Sequence, residues 1–371
     1  MPVKIVTLVG TRPELIKLSL TIAELDRHVQ HVLVHSGQNY DFELNEVFFR
    51  DLQIRKPDYF LEAAGSNAAQ TIARVIERFD EVLAREKPDA MLLLGDTNSC
   101  LGVIAAKRRH IPIFHMEAGN RCFDARVPEE INRRIVDHVS DINLPYTEHA
   151  RRYLLAEGIR PDTVIKIGSP MREVLERFGD RIRASDARQR HGVEREAYFV
   201  VSAHREENVD DPARLGMLLD GLLALAREHE LPLLFSTHPR TRERLNGMPP
   251  VKDERIRFIK PLGFIDYIAL QLEAFCVVSD SGTLTEEAAI LRFPAVMIRD
   301  AHERPEGMDE GTVVMSGLQP DRIVEAVRLV RSQRESHFRM PPDYEPQDVS
   351  KKVVRLILSY TDYVNRVIWQ K

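Results

Sequence analysis

Short apolar segments alternate along the chain with longer segments whose apolar residues recur at helical spacing. The segment "VKIVTLVG" (3–10) is apolar, rich in β-branched residues and ended by a glycine, which is typical of a buried strand. The next segment, 11–26, opens with Thr11 and Glu14 at capping-box spacing and has its leucines on one helix face. The same alternation predicts strands at 31–37, 89–96, 111–119, 141–146 and 164–168, and helices at 68–86, 98–109 and 128–139. Strands that alternate with helices indicate a parallel sheet with helices on both faces.

The pattern starts again in the second half of the chain. Strands are predicted at 198–204, 232–239, 255–261, 275–282 and 294–300, with helices between them. The proline-containing stretch 340–346 then precedes a last helix, 348–368. The sequence therefore predicts an α/β protein with two doubly wound, Rossmann-like domains and a cleft between them. We expect residues 1–168 to form the first domain, with 348–371 packing back onto it, and residues 169–347 to form the second.

Composition narrows the class of protein. Hydrophobic residues make up 43% of the 371 residues and charged residues 29%, which is typical of a soluble globular protein. The formal net charge of −5 gives no general attraction for nucleic acid or for an anionic membrane. The three cysteines are far apart and lack CxxC spacing, which argues against disulfides and zinc sites. Because neither a signal-peptide core nor an apolar run of membrane-spanning length occurs, we expect a cytoplasmic protein without nucleic-acid or membrane partners.

Acidic and basic residues follow the predicted strands of the first half: Arg12, Lys17, Asp96, Glu117, Glu129 and Arg133. The carboxyl ends of parallel strands meet at one edge of a sheet, so we expect these side chains to lie near one another. Ordinary structural explanations exist for some of them, such as a helix N-cap for Asp96 and solvated side chains for Arg12 and Lys17. A glutamate is a poor N-cap, however, and Glu117 therefore favours an acid–base site.

The helix predicted at 128–139 begins with Pro128 in its first turn. Ile131, Ile135 and Val139 recur at i,i+4 spacing and predict the buried stripe of this helix. Since its first turn also carries Glu129, we interpret the helix start as the frame of an acid–base centre.

The second half carries residues suited to an anionic ligand. His204 and Arg205 follow a predicted strand, and this pair suits an anion-binding or acid–base role. The Ser-Gly turn at 281–283 opens a helix, so its backbone N–H groups can bind phosphate. Glu287 lies one turn further and is placed to accept a hydrogen bond from a ribose hydroxyl. Neither GxGxxG nor the P-loop pattern occurs, which disfavours a nicotinamide cofactor and a P-loop site.

An ordered set of motifs resembles the non-hydrolysing UDP-N-acetylglucosamine 2-epimerases nearly end to end. The motifs are "GTRPELIK" (10–17), "SGQNYD" (36–41), "GDTNS" (95–99), "EAGNR" (117–121), "PEEINR" (128–133), "HREEN" (204–208), "SDSGTLTEE" (279–287) and "ERPEG" (303–307). The resemblance implies a GT-B arrangement of the two domains, a UDP-sugar in the cleft and a homodimer. It requires neither a metal nor another cofactor.

The resemblance also implies a reaction and a set of roles. In this family the C2 proton of the sugar is removed while UDP leaves C1, and UDP is then added back with C2 reprotonated on the other face. By resemblance, Asp96, Glu117 and Glu129 are the acid–base candidates, and His204 binds the pyrophosphate and stabilises the leaving group. The other matched residues are expected to bind substrate: Arg12, Lys17 and Arg133 at the sugar and phosphates, Ser281, Gly282 and Thr283 at phosphate, Glu287 at the ribose, and Arg304 at the sugar or nucleotide.

Several motifs depart from the common pattern of the family. "GNRCFDARVPEE" (119–130) replaces an EAGLRTG-type segment and its longer link to PEE, and "SAHREEN" (202–208) stands for a GHRRE-like motif. These variants resemble the branch that converts UDP-2-acetamido-2,6-dideoxy-L-talose to UDP-N-acetyl-L-fucosamine for capsule or O-antigen. Asn39 stands in place of the usual histidine and the neighbourhood of His238 is altered, which leaves open whether UDP-GlcNAc acts as an allosteric regulator.

Other functions remain compatible with these patterns. Within the family, a UDP-GlcNAc/UDP-ManNAc 2-epimerase is the main alternative. A GT-B glycosyltransferase would share the fold and the nucleotide site but would need an acceptor groove. A catalytically silent nucleotide-sugar sensor would need few of the carboxylates of the first half, and their number argues against both of these last two classes.

Overall fold

A computed structural model describes residues 3–38, 42–336 and 338–371 of the chain. The chain forms two compact units. The first unit comprises Met1–Arg177 and Asp343–Lys371, and the second comprises Phe178–Pro342. No helix in these described ranges is both long and apolar enough to cross a bilayer.

The first unit is built on a parallel sheet with the strand order β3-β2-β1-β4-β5-β6. Its strands are β1 (Lys4–Val9), β2 (Gln30–His35), β3 (Tyr59–Phe60), β4 (Ala90–Leu94), β5 (Ile113–Met116) and β6 (Ile142–Leu144). The helices before the second unit are α1 (Arg12–His28), α2 (Phe42–Asp51), α3 (Ala68–Glu86), α4 (Val103–Arg108), α5 (Pro128–Val139), α6 (Glu148–Ala156) and α7 (Met171–Arg177). This strand order is that of the doubly wound Rossmann fold, with the reversal of direction between β1 and β4.

The second unit repeats the topology with a parallel sheet in the order β12-β11-β10-β7-β8-β9. Its strands are β7 (Phe199–Ser202), β8 (Leu233–Ser236), β9 (Ile256–Ile259), β10 (Cys276–Ser279), β11 (Ala295–Met297) and β12 (Val314–Met315). Its helices are α8 (Gly179–Arg183), α9 (Ala187–Arg190), α10 (Glu206–Val209), α11 (Pro212–His229), α12 (Pro239–Leu245), α13 (Phe264–Glu273), α14 (Leu284–Leu291), α15 (Pro305–Asp309) and α16 (Pro320–Ser332). The last helix of the chain, α17 (Val349–Val367), packs against α1 of the first unit.

The central strands form because they are apolar on both faces. In β1, Ile5, Val6 and Val9 have no exposed surface, and all five residues of β4 are buried. Such continuous apolar runs are expected where helices cover both faces of a parallel sheet. The predicted strand at 164–168 is only a bridge from Val164 to Asn143, and β3, β12 and α2 were not predicted.

The prediction for the buried face of α5 is wrong at Ile131 and Ile135, whereas Val139 is half-buried and packs against the core of the first unit. Ile131 is 58% exposed and Ile135 is 37% exposed. The buried side of α5 carries four polar or charged residues, Glu130, Asn132, Arg133 and Asp137, together with the apolar Val136. Periodicity alone places the apolar stripe inward, but here ion pairs at the sheet edge occupy the buried side. The isoleucines therefore lie on the outer surface of the first unit.

Candidate active site

Glu117 lies directly after β5, at the carboxyl edge of the first sheet. Its φ of 63° is in the left-handed region, which costs a non-glycine residue about 1–3 kcal/mol and often marks functional sites. Its carboxylate accepts from Lys17 Nζ at 2.5 Å and from Asn120 Nδ2 at 3.2 Å. Lys17 is only 3% exposed, so its charge acts on Glu117 with little screening by water. The structure thus brings these two predicted residues together and fixes both.

Asp96 follows β4, the neighbouring strand, and is paired with Arg133 of α5. Arg133 donates to Asp96 through Nη2 at 2.7 Å and Nε at 3.0 Å, and to Glu130 through Nη1 at 2.9 Å. Burial acts to raise the pKa of Glu130, but hydrogen bonds from Cys122 and Arg134 and the charge of Arg133 outweigh it, so the pKa is lowered. Glu130 is therefore the buried partner of Arg133, whereas the predicted Glu129 lies half-buried beside it in the first turn.

Arg12, the first residue of α1, is half-buried above the end of β1. Its guanidinium lies 5.6 Å from the ring centre of Phe48, within cation–π distance. Because β1, β4 and β5 are neighbours, their carboxyl ends form one edge that carries Arg12, Asp96 and Glu117. The sequence prediction that these charged residues share a sheet edge is thus met in the first unit.

Glu14 lies buried beneath this edge and was predicted only as a helix-capping residue. One carboxylate oxygen accepts from the backbone N–H of Gly10 at 2.5 Å and of Thr11 at 3.3 Å, as in a capping box. The other accepts from the Thr97 hydroxyl at 2.7 Å, across 83 residues of sequence. Burial raises the pKa of Glu14 to about 7, with the hydrogen bonds opposing this shift.

A second buried network supports the turn that follows Glu117. Asp137 of α5, with no exposed surface, accepts from the Gly119 N–H at 3.2 Å and from Arg121 Nη1 at 2.7 Å. His115 lies between this carboxylate and the next loop, with Nδ1 at 3.0 Å from Asp137 and Nε2 donating to the Gly95 carbonyl at 2.8 Å. The network therefore links the loop that carries Glu117 to the loop that carries Asp96.

In the second unit, the predicted phosphate-binding turn lies at the carboxyl end of β10 and opens α14. The hydroxyls of Ser281 and Thr283 are 3.0 Å apart, and all three residues of the turn are half-buried. A Cβ added at Gly282 would lie 3.5 Å from Arg205 Nη2, so a guanidinium stands beside the turn. A half-exposed helix start with an adjacent arginine suits a phosphate group.

His204 follows β7 and is held by Asp280, which follows the adjacent strand β10. The buried Asp280 carboxylate accepts from the backbone N–H groups of His204 and Arg205 at 3.0 Å each. His204 Nδ1 lies 3.3 Å from the same carboxylate, and the imidazole is partly exposed beside the His238 ring, 6.1 Å away. Burial raises the pKa of Asp280. The prediction that concerns Asn39 falls outside the described residues.

Glu287 and Arg304 are both buried near this turn. Glu287 accepts from Gln271 Nε2 at 2.9 Å. Arg304 donates through Nε to the Gly282 carbonyl at 2.9 Å and pairs through Nη2 with Glu286 at 2.9 Å. Arg304 thus holds the turn through the Gly282 carbonyl, a contact that the sequence did not indicate.

Three residues of these sites were missed by the sequence analysis, and the available signals differ. Asp280 directly precedes the predicted phosphate turn, so its position at a strand end was a usable signal. Glu14 was recognised for its local contact but not for the distant one to Thr97. Asp137 carries no local signal, because only the folded sheet brings it to Gly119.

Comparison with known proteins gives a consistent result. A family model described as UDP-N-acetylglucosamine 2-epimerase matches residues 23–358. A structure of UDP-N-acetylglucosamine 2-epimerase from Rickettsia bellii is 53% identical, with full coverage of both chains and a TM-score of 0.94. The Methanocaldococcus jannaschii UDP-GlcNAc 2-epimerase in complex with UDP-GlcNAc and UDP is 30% identical, covers 96% of this chain and 99% of its own, and has a TM-score of 0.89.

A relative with a different named substrate also matches. The UDP-2,3-diacetamido-2,3-dideoxy-D-glucuronate 2-epimerase of Pseudomonas aeruginosa is 35% identical over 88% of this chain and 91% of its own. The likeness to the solved structures confirms two Rossmann-like domains of the GT-B fold class.

Proposed function

Because this chain belongs to the UDP-N-acetylglucosamine 2-epimerase family and is a non-hydrolysing UDP-sugar 2-epimerase, we propose that it works by eliminating and re-adding UDP. The observation that carries the proposal is Glu117, held in a left-handed conformation by Lys17 and Asn120. A carboxylate with fixed partners at a sheet edge is suited to proton transfer at a carbon that lies above it.

The chemistry requires more than a base. The C2 proton of the sugar is not acidic, so its removal must be coupled to departure of UDP from C1 and to stabilisation of the leaving group. Asp96, Glu117 and Glu129 are the proposed acid–base residues. The cations of the first unit, Arg12, Lys17 and Arg133, orient the sugar and neutralise charge beside these carboxylates.

The nucleotide is proposed to bind to the second unit. The turn of Ser281, Gly282 and Thr283 offers backbone N–H groups to phosphate, and His204 serves the pyrophosphate as UDP leaves. Glu287 is proposed to accept from the ribose, and Arg304 to act from behind the turn or on the nucleotide itself. The complex of the M. jannaschii relative with UDP-GlcNAc and UDP supports a UDP-sugar ligand.

We propose UDP-2-acetamido-2,6-dideoxy-L-talose as the substrate and UDP-N-acetyl-L-fucosamine as the product, for capsule or O-antigen synthesis. The support is the set of motif variants, above all the short connection between Glu117 and α5. The second candidate is UDP-GlcNAc, which is favoured by the names of the R. bellii and M. jannaschii proteins. The P. aeruginosa relative is named for a third sugar, so membership of the family does not by itself determine the substrate.

We also propose a cytoplasmic homodimer in which a second copy covers the outer face of α5. Ile131 and Ile135 lie exposed on that face, and Phe123 on the preceding loop is 66% exposed. Phe123 packs edge-on against Tyr153 of α6, at 5.2 Å between ring centres. Ile131 and Ile135 are four positions apart on α5 and therefore form an adjacent pair of exposed apolar side chains, which suits a protein interface.

The deciding experiment is incubation of the enzyme in D2O with each UDP-sugar separately, without added NAD or metal, followed by proton NMR and mass analysis. Deuterium at C2 of the 6-deoxy sugar alone would support the fucosamine assignment. Exchange into UDP-GlcNAc would establish the second candidate instead. Transfer of the sugar to an acceptor without exchange at C2 would contradict the proposed mechanism and favour a glycosyltransferase.

A further inference from the structure

The two loops that carry Asp96 and Glu117 are both fastened to one face of α1. Glu14 binds the loop after β4 through Thr97, and Lys17 binds Glu117 after β5. The two residues are three positions apart, so they lie on the same side of the helix, and both are buried. Helix α1 is therefore in position to set the relative placement of the two carboxylates.

Asp96 lies between two residues that are held from opposite sides. Before it, the Gly95 N–H donates to the Met116 carbonyl at 3.0 Å, and the Gly95 carbonyl accepts from His115. After it, the Thr97 hydroxyl donates to Glu14 at 2.7 Å. One side is thus fixed by β5 and the other by α1, which leaves the Asp96 backbone little freedom.

Glu14 also fixes the turn that leads to Arg12. Its second oxygen accepts from the N–H groups of both Gly10 and Thr11, and this turn has little spare room. A Cβ at Gly10 would lie 2.0 Å from Ser99 Oγ and 2.4 Å from Ser36 Oγ. The turn after β1 and the loop after β4 therefore lie in close contact, and the Glu14 carboxylate joins them.

We infer that Glu14 is a positioning residue for the epimerisation: it ties the turn before Arg12 to the loop of Asp96 through Thr97. The inference rests on the proposed function, since it assigns a role with respect to Asp96 as a reacting group. Glu14 itself is buried and does not contact the sugar in this role.

The tie holds in either protonation state of Glu14. The oxygen that faces the Gly10 and Thr11 N–H groups must accept, so the carboxylic acid would carry its proton on the other oxygen and donate to Thr97. A glutamine can do the same, with its carbonyl towards the two N–H groups and its amide N–H towards the Thr97 hydroxyl. Glu14→Gln is therefore the variant that preserves the tie without the charge.

The test compares variants that break the tie with variants that keep it. Thr97→Val removes the hydroxyl at nearly constant shape. Glu14→Leu removes both carboxylate oxygens, and with them the hydrogen bonds to Thr97 and to the Gly10 and Thr11 N–H groups. For each we expect kcat to fall by about tenfold or more while KM changes by less than about threefold, because misplacement of a reacting group affects the transition state. Thr97→Ser and Glu14→Gln are expected to keep kcat within about threefold of wild type.

The double variant Glu14→Leu/Thr97→Val distinguishes this role from a general effect on stability, because it measures whether the two effects on kcat are additive. If both changes break one tie, its kcat should be no lower than that of Glu14→Leu alone, a non-additivity typical of coupled residues. Wild-type kcat in Thr97→Val, or losses that multiply in the double variant, would overturn the inference. Should Glu14→Leu fail to fold, the pair Thr97→Val and Thr97→Ser still decides the question.

Two controls separate this inference from the proposed function. Glu24→Gln makes the same chemical change on the same helix, where Glu24 pairs with Arg27 and His28, and it should leave kcat unchanged. Asp96→Asn tests the group that is positioned. If Asp96→Asn is inactive and Thr97→Val is fully active, the inference alone fails. If Asp96→Asn is fully active, the inference and the assigned role of Asp96 fail together.

Discussion

At the scale of single residues, the first unit combines strain, burial and charge around one carboxylate. Glu117 keeps a left-handed backbone although a glycine would adopt it at lower cost. The conformation persists because Lys17 and Asn120 hold the side chain and Asp137 holds the N–H of Gly119. Such over-determined strain is expected where the orientation of a side chain matters more than local stability.

Glu117→Gln tests this role directly. The amide keeps the size and most hydrogen bonds of the glutamate but cannot take up a proton, so the fold should persist while turnover is lost. We expect a loss of more than about 2 kcal/mol of transition-state stabilisation, or about 30-fold in kcat/KM. Glu62 gives the matched control because it is another glutamate with positive φ. Glu62→Gln should leave kcat/KM unchanged. Near-normal turnover of Glu117→Gln would remove it from the catalytic set.

Glu14 gives a prediction for the pH dependence of stability. Its pKa is raised from 4.5 to about 7 by burial, so the folded state favours the neutral acid. The contribution of neutral Glu14 to the free energy of unfolding is fully present below pH 4.5 and is lost as the pH rises to about 7. By linkage, this loss amounts to about 3 kcal/mol. The side chain of Glu14→Gln does not titrate. The free energy of unfolding of this variant, relative to that of wild type, should therefore increase by about 3 kcal/mol between pH 4 and pH 8.

Urea unfolding followed by tryptophan fluorescence can measure this difference. The chain has a single tryptophan, Trp369, which stacks on His110 at 4.2 Å within the first unit, so the signal reports that unit. Glu24→Gln serves again as the control. Parallel pH profiles for wild type and Glu14→Gln would show that Glu14 does not titrate in this range.

At the scale of secondary-structure elements, the predictability of the fold follows from which forces act locally. The central strands were predicted because burial on both faces leaves a continuous apolar run in the sequence. The short edge strands β3 and β12 have two residues each and leave no such run. Strand-end positions also indicated Asp96 and Glu117, since topology carries them to one edge regardless of detail.

Helix α5 shows where local reasoning fails. Its isoleucines have the spacing of a buried stripe, yet the buried face carries Glu130, Arg133 and Asp137. These charges are tolerated inside because they meet partners from the loops after β4 and β5, and no local sequence pattern indicates those partners. The roles of Glu14 and Asp137 were missed for the same reason, because each depends on contacts distant in sequence.

At the scale of the whole molecule, the exposed face of α5 leads to a prediction about assembly. Ile131→Asp places a charge within the proposed dimer interface, where it would be desolvated, and should weaken the dimer by about 100-fold or more. Light scattering across a concentration series measures this. Leu329→Asp changes a similarly exposed residue on α16 of the second unit and should leave assembly unchanged. A dimer that survives Ile131→Asp would place the interface elsewhere.

The return of α17 to the first unit has a consequence for synthesis of the protein. Ile357 and Val364 of α17 are fully buried in that unit, and Lys371 donates from Nζ to the His110 carbonyl at 2.7 Å. The ribosome therefore releases every residue of the second unit before it supplies the last helix of the first. The half of the protein that is translated first, and that carries the proposed acid–base residues, is the half that completes its fold last.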